Sequence, residues 1–326
     1  MRICHFITST GLGRGEFYID LVNELCKTAE IYLLIPKHSK YLHRVSSSIH
    51  IIEYTSKDSR LNPFFLYEIY HILKALHPDI VHTHFAKSTE VFHYVNKLLY
   101  LTHVATKHNA RKGKIFGKIK HVTAVSQDVA NSIKNTHVEV IYNGIIPQKL
   151  LPEEHPQKPF TISAIGRLDK IKGYDILIKE CSKLSFDYRV HIIGDGPQKQ
   201  ELQALIHALG LSQKVFLLGF RQDIPDLMNT SDLVVISSHS EGFSVSMIEA
   251  IFYAPILISR KVSGATEVLT NDFLIENFEI AYKINAIYEN YSFFEEKFKN
   301  IKTLQTKNLL LPNIAQKYLD FYSKIL

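Results

Sequence analysis

Short apolar runs and longer runs of helical period alternate along most of the chain. Residues 2–7 (RICHFI), 31–35 (IYLLI) and 49–54 (IHIIEY) are compact and β-rich, whereas 17–27 (FYIDLVNELCK) spaces its apolar positions as a helix does. The pattern predicts helices over 63–76, 88–100 and 127–135, and strands over 79–84, 102–106, 121–126 and 138–143. Mostly apolar strands separated by helices make parallel sheets covered on both faces. Residues 144–159 hold four of the eleven prolines, have no clean period, and read as a linker between domains. The alternation then restarts, with strands over 160–166, 188–194, 214–219, 233–237 and 255–259 and helices between them. From Phe278 the tail is rich in Phe, Tyr and Lys and reads as helical. The prediction is an α/β protein with two doubly wound, Rossmann-like domains, 1–150 and 151–310. A final helix, 311–326, is expected to pack back toward the first domain.

Composition narrows the class. A chain of 326 residues exceeds one typical core, and 46% hydrophobic with 21% charged residues describes a globular protein, not a disordered one. Cys4, Cys26 and Cys181 are scattered and odd in number, which fits a reducing cytoplasm and argues against a disulfide scaffold. The start reads as a strand and turn, not a signal peptide, and no apolar run approaches the length of a membrane span. The expected place is the cytoplasm, peripheral on the inner face of the membrane.

The net charge of +6 is unevenly spread: 91–127 has no acidic residue but carries Lys97, Lys107, Arg111, Lys112, Lys114, Lys118 and Lys120. Such a field attracts anions. Within it, 107–121 interleaves Ile115, Phe116 and Ile119 with its cations. This reads as a surface for anionic lipid or a phosphorylated lipid-linked acceptor, or else as a solvated charge run. No recognition motif accompanies the charge, so nucleic acid is not the expected partner.

Unusual residues gather where the predicted strands end, the ligand side of open α/β sheets. The loop GLGRGE, with Gly11, Gly13 and Gly15, is a tight turn or a ligand loop. In GRLDKIKG, Arg167 follows Gly166 and Lys172 precedes Gly173. Two cations across a turn can clamp a diphosphate, or they can be ordinary surface charges. GDGP, with Gly194 and Gly196, is a structural turn by default. In 239–250, HSEGFSVSMIEA, Glu241 stands at the mouth of a predicted helix and Glu249 inside it. The amides from Phe243 to Ser246 are free at that helix start and attract anions.

GRLDKIKG, GDGP, VFLLGF, SEGFSVSMIEA and GATEV run in order from Gly166 to Glu267, preceded by VSQDV and VIYNGI. Together they resemble retaining glycosyltransferases of the family 4 type, whose GT-B fold has two Rossmann-like domains facing a central cleft. The resemblance covers nearly the whole chain. It implies an N-terminal acceptor domain, a C-terminal donor domain and a bacterial enzyme that moves a sugar from a nucleotide-sugar donor, a UDP-sugar, to a glycan or lipid-linked acceptor. Surface polysaccharide or lipooligosaccharide synthesis is the expected setting. Glu249 would bind the ribose, reaching back along its helix. Glu241 would face the sugar, Gly242, Phe243, Ser244 and Val245 would hold the β-phosphate, and Arg167 and Lys172 would neutralise the leaving diphosphate. Phe220 and Arg221 would flank the base. Gly13, with Gly166, Gly194 and Gly196 at the other strand ends, would let backbone approach the donor, and His108 would lie near the sugar. For His84 a structural role is expected. No Asp-x-Asp motif is present, so metal independence is expected, with no metal ligands. Tyr253 stands where the family has a glycine, and the family's glycine-marked loop after Glu267 is missing. A nucleotide-sugar epimerase of GT-B shape and a non-catalytic sugar-nucleotide-binding subunit are the rival readings.

Overall fold

The computed structural model divides into two compact units, Met1–Gly144 with Leu311–Leu326, and Ile145–Leu310. It describes residues 1–8, 17–39, 42–111, 113–134, 137–150, 159–276 and 279–326. Gly11, Gly13 and Gly15, Lys112, Phe278 and residues 151–158 of the expected linker lie outside the described residues.

In the first unit seven strands form one parallel sheet: β1 (Arg2–Phe6), β2 (Glu30–Pro36), β3 (His50–Tyr54), β4 (Ile80–His84), β5 (Thr102–Lys107), β6 (His121–Ala124) and β7 (Val138–Val140). Their order is β3-β2-β1-β4-β5-β6-β7, so the winding reverses between β1 and β4. The covering helices are α1 (Phe17–Leu25), α2 (Pro63–Leu76), α3 (Phe85–Leu99) and α4 (Gln127–Asn131). Local chemistry sets their ends. The Asn62 side chain accepts the Phe64 amide at 3.1 Å and Pro63 occupies the first helical position, so α2 starts there. The helix expected from residue 88 begins at Phe85 instead, directly after β4. Hydroxyls of Ser88 and Thr89 bond to the carbonyls of His84 and Phe85 and brace this abrupt turn.

Two apolar layers sandwich the sheet. On one face Leu21, Val22 and Leu25 of α1 pack with Leu311, Ile314 and Tyr318 of the terminal helix, Leu311–Ile325. On the other, Phe65, Ile69 and Leu73 of α2 and Phe92 of α3 cover Phe6 and Tyr54. Each fully buried side chain of this size contributes roughly 1.5–3 kcal/mol.

The second unit repeats the plan with β8 (Phe160–Ile165), β9 (Tyr188–Ile193), β10 (Val215–Gly219), β11 (Leu233–Ile236), β12 (Leu257–Arg260) and β13 (Leu274–Ile275). All pair in parallel in the order β10-β9-β8-β11-β12-β13, reversing between β8 and β11. Its helices are α5 (Tyr174–Cys181), α6 (Lys199–Ala208), α7 (Ile224–Asn229), α8 (Val245–Tyr253), α9 (Ala265–Val268), α10 (Ile280–Glu289) and α11 (Tyr291–Asn308), and the terminal helix is then α12. Tyr253, where the family resemblance expects glycine, is buried at the end of α8. Its hydroxyl accepts the Gln148 amide at 2.7 Å and so holds the segment that leads into this unit. Among the described residues no helix is long and apolar enough to cross a membrane.

Candidate active site

Reversal of strand order opens a crevice at the carboxyl ends of the central strands. In the second unit the loops after β8 and β11 flank that point, and they carry Arg167, Lys172, Ser237, Ser238 and Glu241. Lys172 ends a single 3-10 turn, Lys170–Lys172, whose start is capped by Asp169 accepting the Ile171 amide at 3.1 Å. Gly173 then takes φ 65°, and a Cβ there would lie 2.3 Å from the Ser237 carbonyl oxygen. Only glycine lets the two loops approach this closely. The Ser237 hydroxyl donates to the Lys172 carbonyl at 2.8 Å, and the His239 amide donates to the Ile171 carbonyl at 2.7 Å.

This stitching brings Lys172 to Glu241. The ammonium lies 2.7 Å from Glu241 Oε1, which also accepts the Ser238 hydroxyl at 2.6 Å, and the two charged side chains are only 18% and 13% exposed. Tyr174, at the start of α5, has a buried hydroxyl with no hydrogen-bond partner. Burial first, then the charges of Glu241 and Asp169, push its ionisation up, so it is a neutral hydroxyl beside an ion pair. A Cβ placed on Gly166 would meet that hydroxyl at 2.9 Å and Lys172 Cε at 3.0 Å, so Gly166, Lys172 and Tyr174 share one small space. Such a hydroxyl has one bond to give or accept, to a water or to a ligand.

Arg167 sits on the same loop but is spent differently. Its guanidinium donates twice to Asp169 Oδ2, at 2.9 and 2.6 Å, and its side chain is 54% exposed. Gly194, after β9, packs its Cα against the Gly166 carbonyl, and Gly196 lies against the Leu168 carbonyl. Beyond β11, Gly242, Phe243 and Ser244 are buried and Ser244 stands at the N-cap of α8 without a side-chain cap. Val245 opens that helix, and Glu249 is half-buried on its second turn. Phe220 and Arg221 follow β10: Phe220 is exposed, and Arg221 pairs with Asp223 through contacts of 2.9 and 2.6 Å. The structure thus joins Gly166, Gly194, Lys172 and Glu241, and leaves Arg167 and Arg221 on exposed carboxylate pairs of their own.

In the first unit the reversal lies between β1 and β4, and histidines gather there. His5 pairs in register with His82, and side chains two apart on a strand share a face, so His5, His82 and His84 meet. His84 is opposite Thr106 on β5, and His108 follows that strand on the same face. His82 binds the Tyr322 hydroxyl of α12 and the Thr106 hydroxyl, both at 2.6 Å. His84 reaches His5 at 3.0 Å and His108 at 3.2 Å. Burial lowers His5 to about 3 and His108 to about 4. Burial lowers His82 and His84 as well, so all four are neutral at pH 7. Three of them, His5, His82 and His84, bring ring nitrogens within 4.8 Å of one another, a spacing that could hold a metal. Both nitrogens of His82 and of His84 are already hydrogen-bonded, however, and only His5 Nε2 has no partner. A metal would have to break those bonds. His84, buried at the end of its strand, is the neighbour of His108.

The basic segment differs from the expectation drawn from its pattern. Ile115, Phe116 and Ile119 are buried, and Lys107 is buried too, donating to Ser132 at 2.8 Å. Lys114, Lys118 and Lys120 are exposed, so the surface offers cations but not these apolar residues. The sequence reading also passed over Asp169, Tyr174, Ser238 and His5. Asp169 and Tyr174 lie inside or beside the quoted motif; His5 could be found only from strand pairing.

The chain has counterparts among known proteins. Residues 148–303 match the family model described as Glycosyl transferases group 1, and residues 15–149 match Glycosyltransferase Family 4. A Campylobacter jejuni N-acetylgalactosamine-N,N'-diacetylbacillosaminyl-diphospho-undecaprenol 4-alpha-N-acetylgalactosaminyltransferase is 36% identical over 146 residues, 43% of this chain and 40% of that protein. The lipopolysaccharide core biosynthesis glycosyltransferase LpsD of Rhizobium meliloti is 22% identical over 296 residues, covering 83% of this chain and 82% of that one. Among solved structures, Anabaena HepE in complex with UDP-glucose is similar at TM-score 0.84 and 21% identity, covering 99% of this chain and 100% of that chain. That likeness is one of fold, and it is the GT-B fold.

Proposed function

The chain belongs to the group 1 and family 4 glycosyltransferases, and from that premise we propose that it moves a sugar from a UDP-sugar to a glycan or lipid-linked acceptor in bacterial surface-glycan synthesis. The observation that carries this reading is the Lys172–Glu241 pair at the crevice of the second unit. Its support is chemical: a cation, a carboxylate, a neutral hydroxyl and the uncapped start of α8 suit a sugar diphosphate. The names of the relatives, one citing a diphospho-undecaprenol-linked glycan and the other lipopolysaccharide core biosynthesis, suggest the acceptor class.

In this reading the acceptor hydroxyl oxygen bonds to the anomeric carbon from the face that the diphosphate leaves. The carbon–oxygen bond to phosphate breaks, its electron pair stays with the diphosphate, and the hydroxyl proton passes to a phosphate oxygen. The anomeric configuration is retained. Charge builds on the diphosphate as the bond breaks, and Lys172 offsets it where water is partly excluded. Arg167 turns from Asp169 to the same group. In the second unit Glu249 binds the ribose and Glu241 the sugar; in the first, His108 offers a hydrogen bond to a sugar oxygen; no metal is needed. The enzyme works at the inner membrane surface, held in part by Lys114, Lys118 and Lys120.

Saturation-transfer NMR against a panel of nucleotide sugars, followed by turnover with lipid extract in EDTA, tests the reading. Binding of a UDP-sugar with acceptor-dependent release of UDP is expected. Donor turnover that ignores the acceptor, or a loss of about tenfold restored by magnesium, would overturn it.

A further inference from the structure

His108 is the visible end of a chain of three rings. His84 Nδ1 lies 3.2 Å from His108 Nε2, and His84 Nε2 lies 3.0 Å from His5 Nδ1. Each contact joins two ring nitrogens and therefore needs one N–H and one lone pair. A neutral imidazole has one of each, so the chain can be filled in two ways only. Either every proton sits on Nδ1 and the donors run from His5 toward His108, or every proton sits on Nε2 and they run back toward His5.

The buried end decides between them. His5 Nε2 is buried and has no partner. The second filling would strand an N–H there, whereas the first strands only a lone pair; orphaned buried N–H groups are the rarer of the two. The first filling leaves His108, which is half-buried, with its proton on Nδ1, the nitrogen not used in the chain. His82 cannot reverse this, since both its nitrogens are held by Tyr322 and Thr106. The backbone next to His84 is strained. Phe85 adopts φ 69°, a left-handed conformation rare for a bulky residue, and its ring rests 4.8 Å from that of His108.

We propose that His5 and His84 are positioning residues that lock His108 as a neutral hydrogen-bond donor through Nδ1 and deny it the role of a base. The partner of that N–H is an oxygen lone pair of a bound sugar, which rests on the reading of His108 given above. Which nitrogen of a histidine carries the proton is set by the bond its other nitrogen makes, and here that bond comes from His84. A neutral imidazole donates without the desolvation cost that an imidazolium would bear at this position, where burial disfavours the charged form.

Long-range proton–nitrogen NMR spectra of the full chain, labelled at histidine and recorded near neutral pH without substrate, read the tautomer directly. His108 is expected as the Nδ1–H form; an Nε2–H or charged His108 overturns the proposal, whatever the reaction proves to be. Two nearly isosteric variants test the consequence. His84→Asn keeps an N–H donor facing His108 Nε2, and His84→Asp replaces it with an acceptor. The Asp variant should flip His108 to Nε2–H and lower kcat by about a hundredfold, the scale for losing one aligned donor. The Asn variant should keep the tautomer and at least about tenfold more kcat than the Asp variant. Equal kcat in the two, with melts confirming both folded, would contradict a positioning role even if the wild-type tautomer is as expected.

Discussion

Where strand order reverses in the first unit, His5, His82 and His84 bind hydroxyls and one another; at the same point of the second unit, Lys172 binds Glu241 and Arg167 binds Asp169. Both places are made by the same winding rule, yet one is a buried neutral network and the other a set of ion pairs that water still reaches. The difference follows from what each can tolerate. Neutral rings lose little on burial if each nitrogen finds a partner, whereas ions stripped of water need both a close partner and some remaining solvent. A network of the first kind can fix a donor or acceptor against a sugar hydroxyl. One of the second kind can hand its cations to a diphosphate, which carries more charge than the carboxylate it displaces.

Acid should break this comparison most forcefully. His5 falls to about 3, His103 to about 3 and His108 to about 4 through burial, and His82 and His84 are lowered as well. Between the unfolded value near 6.5 and these folded values, the unfolded chain binds more protons, so stability is full above about pH 6.5 and is lost as pH falls. Each histidine contributes up to about 1.4 kcal/mol per pH unit in that window. Hydrogen exchange resolved by unit is expected to show the first unit losing protection first between about pH 6 and 4. Simultaneous loss in both units would erase the contrast.

The second unit has a steric counterpart to that sensitivity. A Cβ on Gly194 would fall 2.0 Å from the Gly166 carbonyl oxygen, and the backbone there has φ 140°. Gly194→Ala should cost about 3 kcal/mol and loosen the Gly166–Lys172 loop. Denaturant titration gives the value; a cost under about 1 kcal/mol would mean the strand ends are not packed as described. A smaller effect belongs to Tyr322→Phe, which deletes the hydroxyl held by His82 at 2.6 Å. Leaving that ring nitrogen unsatisfied should cost about 1–2 kcal/mol, again read from the denaturation midpoint. No change in midpoint would remove α12 from the network.

Much of this was written in the pattern of the chain. The alternation of apolar strands and helices was legible because it depends on local spacing, and the same kind of spacing is what marks Lys172, Glu241 and Gly194 as candidates. What spacing could not give was partnership. Arg167 reads as a phosphate ligand in isolation, and only the fold shows its guanidinium on Asp169. Ile115, Phe116 and Ile119 alternate with lysines as a lipid-facing segment would, but two apolar residues in a short 3-10 segment and one just after it can equally turn inward, and they do. The strand Leu274–Ile275 is two residues long and leaves no period to detect. The histidine chain depends on β1 lying beside β4, which no property of either strand alone encodes.

The central claim is that the second unit holds the diphosphate of a nucleotide sugar through Lys172. Calorimetric titration of UDP into the wild type and into Lys172→Ala tests it most directly. The side chains of Lys172 and Glu241 are 18% and 13% exposed, so the substitution removes a cation from a partly desolvated place and leaves Glu241 to repel the phosphates. Losing one partner of such a pair costs roughly 2–5 kcal/mol, so UDP should bind at least about 30-fold more weakly to a variant whose melt shows it is folded. An affinity within about threefold of the wild type would place the diphosphate elsewhere and contradict the account.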